Sequence, residues 1–247
     1  MIKKKTILIF VAIIMQACAS PEKFTSYWNP QNDNNYNSFT EREALYYQSD
    51  DQISIRVFNN NRFVDVILET NSPITLRKIY NLGLSLWIDP KGKSRNVYGV
   101  NYPLPIQFPY TGKQFKSYLN GFIKEGFQEE LIDRFQAYEL VDTRMNKMIL
   151  TSTREKDETV KVELKTTDQV LFSYHIQIPI NIIFPTNVRQ KEISIGISSV
   201  NEPDEEYYSA MSSKQVVQKK IDALKAGSHQ SKHELEEWWV NFILAED

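Results

Sequence analysis

From Gln52 onward the chain alternates apolar and polar residues with a period of two, which is typical of strands that bury one face. Every second residue from Ile53 to Val57 is apolar, and the run 63–68 repeats the pattern with Asp65 inside it. Between the two runs lies Asn59-Asn60-Asn61-Arg62, and asparagine tolerates the positive φ that tight turns require. The segment therefore predicts a β-hairpin.

A short helix and a second hairpin are predicted next. Ser72 and Pro73 suit the N-cap and the first position of a helix, and Gly83 suits its end. The sequence Asp89-Pro90-Lys91-Gly92 then has the residue types that a type I turn favours. The elements predicted here are the helix 73–82, the strand 84–88 and the return strand 97–102.

Strand-like runs recur through the rest of the chain. They lie at 138–141, 147–150, 159–164, 170–184, 192–200 and 238–244, and helices are predicted at 113–125 and 214–226. Pro179 removes a ladder hydrogen bond, so we expect an edge position or a bulge in its run. For the last run, a helix that begins at Lys232 is the competing prediction. Together these patterns predict a mainly β fold, an antiparallel β-sandwich with two or three peripheral helices, in a single domain over 50–247.

The N-terminus has the layout of a bacterial secretion signal. Lys3, Lys4 and Lys5 precede an apolar run at 7–15, which as a helix spans only about 13 Å of a bilayer core of about 30 Å. The sequence Met15-Gln16-Ala17-Cys18 follows and resembles the lipobox of bacterial lipoproteins. This resemblance implies that residues 1–17 are a signal peptide that is removed and that Cys18 carries lipid on its sulfur. An ordinary secretory signal with a chance cysteine is the alternative.

Lipid at Cys18 makes a membrane the first expected partner, because acyl chains anchor a protein to a bilayer. Ala19 stands where an aspartate would favour the inner membrane, so the resemblance favours the outer membrane and leaves its periplasmic or surface face open. Residues 18–49 are rich in asparagine and are predicted to form a tether. The aromatic residues of this segment, Trp28 among them, indicate that part of it packs on the domain.

Composition narrows the classes of function. The formal net charge is −2, from 29 basic and 31 acidic residues, which argues against a nucleic-acid partner. A single cysteine excludes an internal disulfide and a cysteine-rich zinc site, and 8 glycines leave little room for glycine-rich phosphate loops. No cofactor is predicted.

Two sequence motifs carry a further resemblance. Residues 82–93, LGLSLWIDPKGK, and residues 98–103, YGVNYP, are similar to a hairpin and a following strand of uncharacterised lipoproteins of Bacteroidota. The N-terminal half also resembles the β-sandwich of family 9 carbohydrate-binding modules and their DOMON relatives. The resemblance implies a sandwich fold, and sugar binding follows from it only by analogy with the modules.

Side chains suited to catalysis or metal binding are sparse. The chain has no G-x-S-x-G sequence, and its 3 histidines are His175, His229 and His233. We interpret His175 as a hydrogen-bonded residue of an apolar strand. The other two are four residues apart but lack the glutamate and third ligand of a zinc site, and the acidic run 202–206 lacks the spacing of a calcium loop. We therefore predict neither a catalytic nor a metal site.

Aromatic residues carry the remaining binding hypothesis, because sugar sites stack their ligands on exposed rings. Trp87 lies between Leu86 and Ile88, so its orientation is open, with core packing favoured. Trp238 and Trp239 are adjacent, and in a strand they must point to opposite faces. The candidate ligand-binding residues are Trp87, Trp238 and Trp239, and Trp28 is a further candidate.

Two functional hypotheses remain open. The first is a non-catalytic envelope lipoprotein that binds a protein partner or scaffolds an assembly. The second is a glycan-binding module displayed at the cell surface, and an enzyme ranks third. A glycan binder should present at least two exposed aromatic rings along one groove with amide or carboxylate neighbours, so exposure separates the first two hypotheses.

Overall fold

Two β-sheets make up most of the structure. The structure is a computed structural model, and it describes residues 22–30, 42–105, 135–145, 147–153, 160–165, 172–184, 192–200 and 234–247. Strands are numbered along the chain. Sheet A contains β1 (Lys23–Thr25), β6 (Ser85–Asp89), β7 (Tyr98–Asn101), β8 (Ala137–Asp142), β9 (Lys147–Ser152), β12 (Glu192–Ser198) and β13 (Trp238–Ile243), in the order β1-β13-β12-β6-β7-β8-β9. Sheet B contains β2 (Tyr27–Trp28), β3 (Tyr46–Gln48), β4 (Ile53–Asn59), β5 (Phe63–Thr70), β10 (Lys161–Lys165) and β11 (Phe172–Pro179), in the order β10-β11-β5-β4-β2, with β3 also paired to β4.

The inner faces of the two sheets share one apolar core. Leu86 and Ile88 of sheet A and Ile55 and Val57 of sheet B belong to the same buried cluster. Described pairings are antiparallel except for β1 with β13 and β2 with β4, which are parallel. The prediction of a mainly β sandwich is therefore confirmed, and two helices lie within the described residues, α1 (Pro73–Leu82) and α2 (Ile180–Ile183).

Local sequence signals determine α1 as predicted. The Ser72 hydroxyl accepts a hydrogen bond from the Thr75 N–H at 3.3 Å, and Pro73 begins the helix. Gly83 ends it with a φ of 74°, and its N–H donates to the Ile79 carbonyl. A Cβ on Gly83 would lie 2.6 Å from a methyl carbon of Val200, so both the backbone and the packing require glycine here.

The end of β11 differs from the prediction of one long strand at 170–184. The strand stops at Pro179, and α2 follows directly. The described pairing of β11 with β10 ends at Gln177, and Pro179 pairs only with Phe63 of β5, so Pro179 has the edge position that was expected. Proline is tolerated there because it occupies the last pair of the ladder, and the next N–H, that of Ile180, donates to the Arg62 carbonyl at 2.8 Å.

Described parts of the segment predicted as a tether form strands. Strands β1 and β2 join opposite sheets, and β3 pairs with β4. Aromatic packing explains this difference, because Phe24 contacts the ring of Phe242 and Tyr46 contacts the ring of Trp238. The last run is strand β13, so the alternative of a helix from Lys232 was wrong.

Several predicted features lie outside the described residues. They are the signal peptide 1–17, Cys18, the helices at 113–125 and 214–226, the acidic run 202–206, His229 and His233. Among the helices that the structure describes, none has both the length and the apolar character needed to span a bilayer.

Candidate functional site

The outer face of sheet A carries a row of tryptophans and glycines that crosses five strands. Strand register aligns Trp239 with Gly196, Gly196 with Trp87, Trp87 with Gly99, and Gly99 with Val141. These residues point away from the core because their chain neighbours, such as Leu86 and Ile88, point into it. We call this set of residues the Trp–Gly row.

Each indole of the row lies across the glycine on the neighbouring strand. A Cβ on Gly99 would lie 2.6 Å from Cζ3 and 2.7 Å from Cε3 of Trp87. A Cβ on Gly196 would lie 2.7 Å from Cε2 and 2.8 Å from Cη2 of Trp239. Real side chains do not approach so closely, so any larger residue would displace the rings. Because the glycines have no side chain, both indoles pack directly against the strand backbone. The rings in turn cover these glycine positions.

Both indoles are partly exposed, while the glycines beneath them are buried. The Trp239 ring is oriented by its Nε1–H, which donates to Glu237 Oε1 at 2.8 Å. Both rings extend from their own strand toward the strand that carries the paired glycine, and this direction is the same for both along the sheet. Two partly exposed indoles therefore lie in one row on the outer face of sheet A, over glycines of strands that have β6 between them.

A polar row borders the Trp–Gly row on one side. Strand register aligns Ser198, Ser85, Asn101 and Glu139 across neighbouring strands. The Ser85 hydroxyl donates to Asn101 Oδ1 at 2.8 Å, and Asn101 Nδ2 donates to Glu139 Oε2 at 3.1 Å. Glu139 and Ser198 are partly exposed, so hydrogen-bonding groups that are held in place by their neighbours lie beside the rings.

On the opposite side of the Trp–Gly row, the polar residues are buried and form hydrogen bonds near the strand ends. The Ser194 hydroxyl donates to Asn241 Oδ1. The Asp89 carboxylate accepts the backbone N–H groups of Lys91, Lys93 and Arg95 at 2.8, 3.1 and 3.2 Å. Asp89 therefore fixes the turn after β6, and the accessible polar groups beside the rings lie mainly on the side of Glu139.

The predicted ligand-binding residues separate into two groups. Trp87 and Trp239 lie together in the Trp–Gly row, so the preference for core packing of Trp87 was wrong. Trp238 points inward and is only 9% exposed, so it is a core residue and does not join them. Trp28 lies on β2 at the edge of sheet B, away from this surface.

His175 lies on sheet B and is hydrogen-bonded, in agreement with its interpretation as a strand residue. Its Nε2 lies 2.9 Å from Asp65 Oδ1, and Gln177 Nε2 donates to the same oxygen at 2.9 Å. In the part of the chain that the structure describes, no three His, Cys, Asp or Glu side chains come together as metal ligands.

The sequence analysis did not single out the glycines of the Trp–Gly row, Gly99 and Gly196, or the partly exposed residues of the polar row, Glu139 and Ser198. The alternation around Trp87 does predict its orientation. Neighbouring residues of a strand point to opposite faces, so burial of Leu86 and Ile88 requires Trp87 to point outward. The glycines had no such signal, because their role depends on which strands pair and in which register.

Comparisons with known proteins give little beyond this geometry. No protein-family model matches the chain, and no curated protein matches it. Among solved structures, the chain is similar to a family 9 carbohydrate-binding module from Caldicellulosiruptor kristjanssonii, described in complex with glucose. The match has 9% sequence identity and a TM-score of 0.31, and it covers 74% of this chain and 79% of that one.

Proposed function

We propose that this protein is a non-catalytic glycan-binding protein of the bacterial envelope, anchored by lipid at Cys18, and that it binds sugars on the Trp–Gly row. The observation that carries the proposal is the pair of partly exposed indoles, Trp87 and Trp239, that lie on glycines of the same sheet face. Pyranose rings have apolar faces of C–H groups that pack on indole faces, and their hydroxyls need polar partners at the rim. Glu139 and Ser198, the partly exposed residues of the polar row, supply such partners.

Carboxylate spacing supports a binding role over a hydrolytic one. Among the described residues in register with the polar row, Glu139 and Glu237 carry the carboxylates, and four strand spacings separate them. That separation is about 19 Å, whereas glycoside hydrolysis needs two carboxyl groups about 5 to 9.5 Å apart.

Anchoring at Cys18 would hold this surface near the membrane. Lys23 follows Cys18 by five positions, and a fully extended chain spans at most about 18 Å over that distance. Lys23 pairs with Asn241 at the edge of sheet A, two residues from Trp239. Mass spectrometry of the protein purified from its native membrane tests this part of the proposal: we expect an acylated N-terminal Cys18, and a free thiol or an intact leader would contradict it.

A protein-binding role is the second candidate. It is favoured by Met145 and Ile149, which are 68% and 38% exposed at the hairpin that forms the β9 edge of sheet A. Exposed apolar residues at a strand edge suit pairing with another chain. Pull-down from envelope extracts with Ile149→Lys as the control tests this role, because the charged variant should lose a partner that pairs with β9.

The central experiment is a glycan array probed with the detergent-solubilised protein. We expect binding to a defined set of glycans, and we expect Trp87→Ala and Trp239→Ala to weaken it at least tenfold each. Tyr47→Ala is the matched control, because Tyr47 is 57% exposed on β3 of sheet B, outside the Trp–Gly row. Absence of binding to every glycan, or equal loss in the control, would overturn the proposal.

A further inference from the structure

We infer that the glycan on the Trp–Gly row carries an anionic substituent, such as a carboxylate or sulfate group, which binds to the turn between β6 and β7; this inference rests on the proposed function. The turn covers residues 90–97 and contains Lys91, Lys93 and Arg95, and we call it the basic turn. The evidence is the exposure of its three cations, the hydrogen bonds that hold it, and its position beside Trp87.

The three cations of the basic turn are exposed, and none of them has an ion-pair partner among the residues that the structure describes. The carboxylates beside the turn are engaged: Asp89 accepts backbone N–H groups, and Glu192, which packs against Gly92, pairs with Lys23 at 2.8 Å. Three cations against the one carboxylate of Asp89 leave an excess of two positive charges. Uncompensated cations on a chain whose formal net charge is −2 favour an anionic ligand.

Hydrogen bonds hold the backbone of the basic turn in place. The buried Asp89 carboxylate accepts the N–H groups of all three cationic residues, and the Ser94 N–H donates to the Ser194 hydroxyl of β12 at 3.3 Å. The cations therefore extend from fixed backbone positions. Binding an anion then has to order their side chains but not the turn itself, which lowers the entropic cost of binding.

The sign of the charge changes across the Trp–Gly row. Trp87 and Asp89 lie two residues apart on one face of β6, about 7 Å along the strand, and the basic turn follows Asp89 directly. On the opposite side of the row, Glu139 and Glu237 carry carboxylates that are at least partly exposed. An anionic group near Trp87 is therefore attracted toward the turn and repelled from the polar row, over distances close to the screening length of about 10 Å at 0.1 M salt.

Stacking geometry directs a charged substituent toward the side of the ring. A sugar that packs its face on an indole points its equatorial substituents sideways along the sheet, where long lysine and arginine side chains can meet them. Hydrogen bonds between charged groups are about twice as strong as those between neutral ones, and the guanidinium of Arg95 matches the two oxygens of a carboxylate. A neutral sugar would gain neither contribution from the basic turn.

A glycan array and isothermal titration with matched pairs of glycans test the inference. The two members of each pair share a backbone and differ in charge: oligogalacturonate and its methyl ester, and a sulfated galactan and its desulfated form. In at least one pair we expect the charged member to bind at least about tenfold more tightly at about 0.1 M salt. This ratio should shrink at about 1 M salt, where the screening length falls to about 3 Å.

The triple variant Lys91→Gln/Lys93→Gln/Arg95→Gln tests the basic turn itself. It should bring the affinities for the charged and the neutral member of a pair to within about threefold of each other, because the remaining surface has no cations to distinguish them. The backbone N–H groups that Asp89 accepts are kept in this variant. A thermal melt establishes that it is folded.

The matched control is Arg42→Gln/Arg62→Gln/Lys161→Gln. It removes the same charge from exposed residues that lie in or beside strands of sheet B, so it should leave the ratio of affinities unchanged. Glu139→Gln provides a change of opposite sign, because it removes a carboxylate from the polar row and keeps an acceptor for Asn101. It should raise the affinity for the charged member about twofold to threefold.

The outcomes distinguish this inference from the proposed function. Equal affinity for the charged and neutral members of every pair would overturn the inference and leave glycan binding intact. An array with no bound glycan would overturn both. A preference for charge that survives in the basic-turn variant would show that the anion binds elsewhere. Polyglutamate that binds as tightly as the charged glycans, with no effect of Trp87→Ala, would show that anions bind without the indoles, and either result would overturn the inference.

Discussion

The aromatic residues on the outer faces of the two sheets differ in how far they are covered. On sheet B, Asp65 is fully buried and accepts hydrogen bonds, and Phe58 is covered by Tyr27 from the N-terminal segment. The Tyr27 hydroxyl donates a hydrogen bond to the Glu43 carbonyl, which joins two parts of the N-terminal segment on this face. On sheet A, the outer sides of Trp87 and Trp239 remain partly exposed.

This difference indicates which face the fold uses for its own stability. On sheet B, polar side chains pair with polar ones and apolar side chains with apolar ones: Arg56 forms an ion pair with Glu69, and Ile67 packs against Phe58. On sheet A each indole covers a glycine and itself remains partly exposed. A substitution on sheet B should therefore reduce stability, whereas one in the Trp–Gly row should mainly reduce binding.

The largest effect on stability is expected from Phe58→Ala. Phe58 is 4% exposed, and its ring lies 5.2 Å from that of Tyr27. Truncation should lower the free energy of unfolding by about 3 kcal/mol or more, because it leaves a cavity under the N-terminal segment. Urea denaturation measures this change, and Phe58→Leu should recover most of it. A loss below about 1 kcal/mol would mean that this face is not closed by packing.

A somewhat smaller loss is expected from Asp65→Ala. The carboxylate joins His175 and Gln177, and its removal leaves polar groups of a buried network without their acceptor. We expect a loss of about 2 to 3 kcal/mol in unfolding free energy, with glycan affinity unchanged. Asp65→Asn, which keeps one carbonyl acceptor, should lose less. A large change in binding would contradict the separation of the two faces.

The double variant Trp87→Ala/Trp239→Ala should give the opposite result. Because both rings are only partly buried, we expect each to contribute about 1 kcal/mol to stability, yet their removal should abolish measurable glycan binding. Thermal unfolding and isothermal titration on the same samples measure the two effects. A variant that unfolds as easily as Phe58→Ala would assign the indoles a structural role.

The smallest effect concerns a link between the sheets. Arg144 donates to Asp142 from Nε at 2.9 Å and from Nη2 at 2.7 Å, and it also donates to the carbonyls of Ile182 and Ile183 at the end of α2. The hydrogen bond from Arg144 is the largest cause that lowers the pKa of Asp142 below its ordinary value of 3.8. Because the pKa of Asp142 is lower in the folded protein than in the unfolded chain, its ionised carboxylate stabilises the fold at pH values above the unfolded pKa. This stabilisation is lost as the pH falls through the folded pKa.

Asp142→Asn should therefore cost about 1 kcal/mol or less at neutral pH and progressively less below about pH 4, where the carboxylate is protonated first in the unfolded chain and, at lower pH, in the folded protein. Urea denaturation at pH 7 and at pH 3 measures the difference. An equal loss at both pH values would mean that packing of the side chain, and not its charge, is what the substitution removes.

Sequence alone determined the local elements of this protein. Ser72, Pro73 and Gly83 fix the bounds of α1, and the alternation from Ile53 onward fixes the hairpin of β4 and β5, because caps, turns and the period of two act over a few residues. The rule that successive side chains of a strand point to opposite faces also determined the opposite orientations of Trp238 and Trp239.

Tertiary structure decided which of these residues form one surface. Trp239 and Gly196 are 43 positions apart in the chain, and Trp87 and Gly196 are 109 apart, so only the order and register of β13, β12, β6 and β7 bring them into one row. Strand pairing depends on the free energy of the whole sandwich and not on any local pattern. For the same reason the alternation could orient Trp238 and Trp239 but could not show that the outward indole would lie beside Trp87.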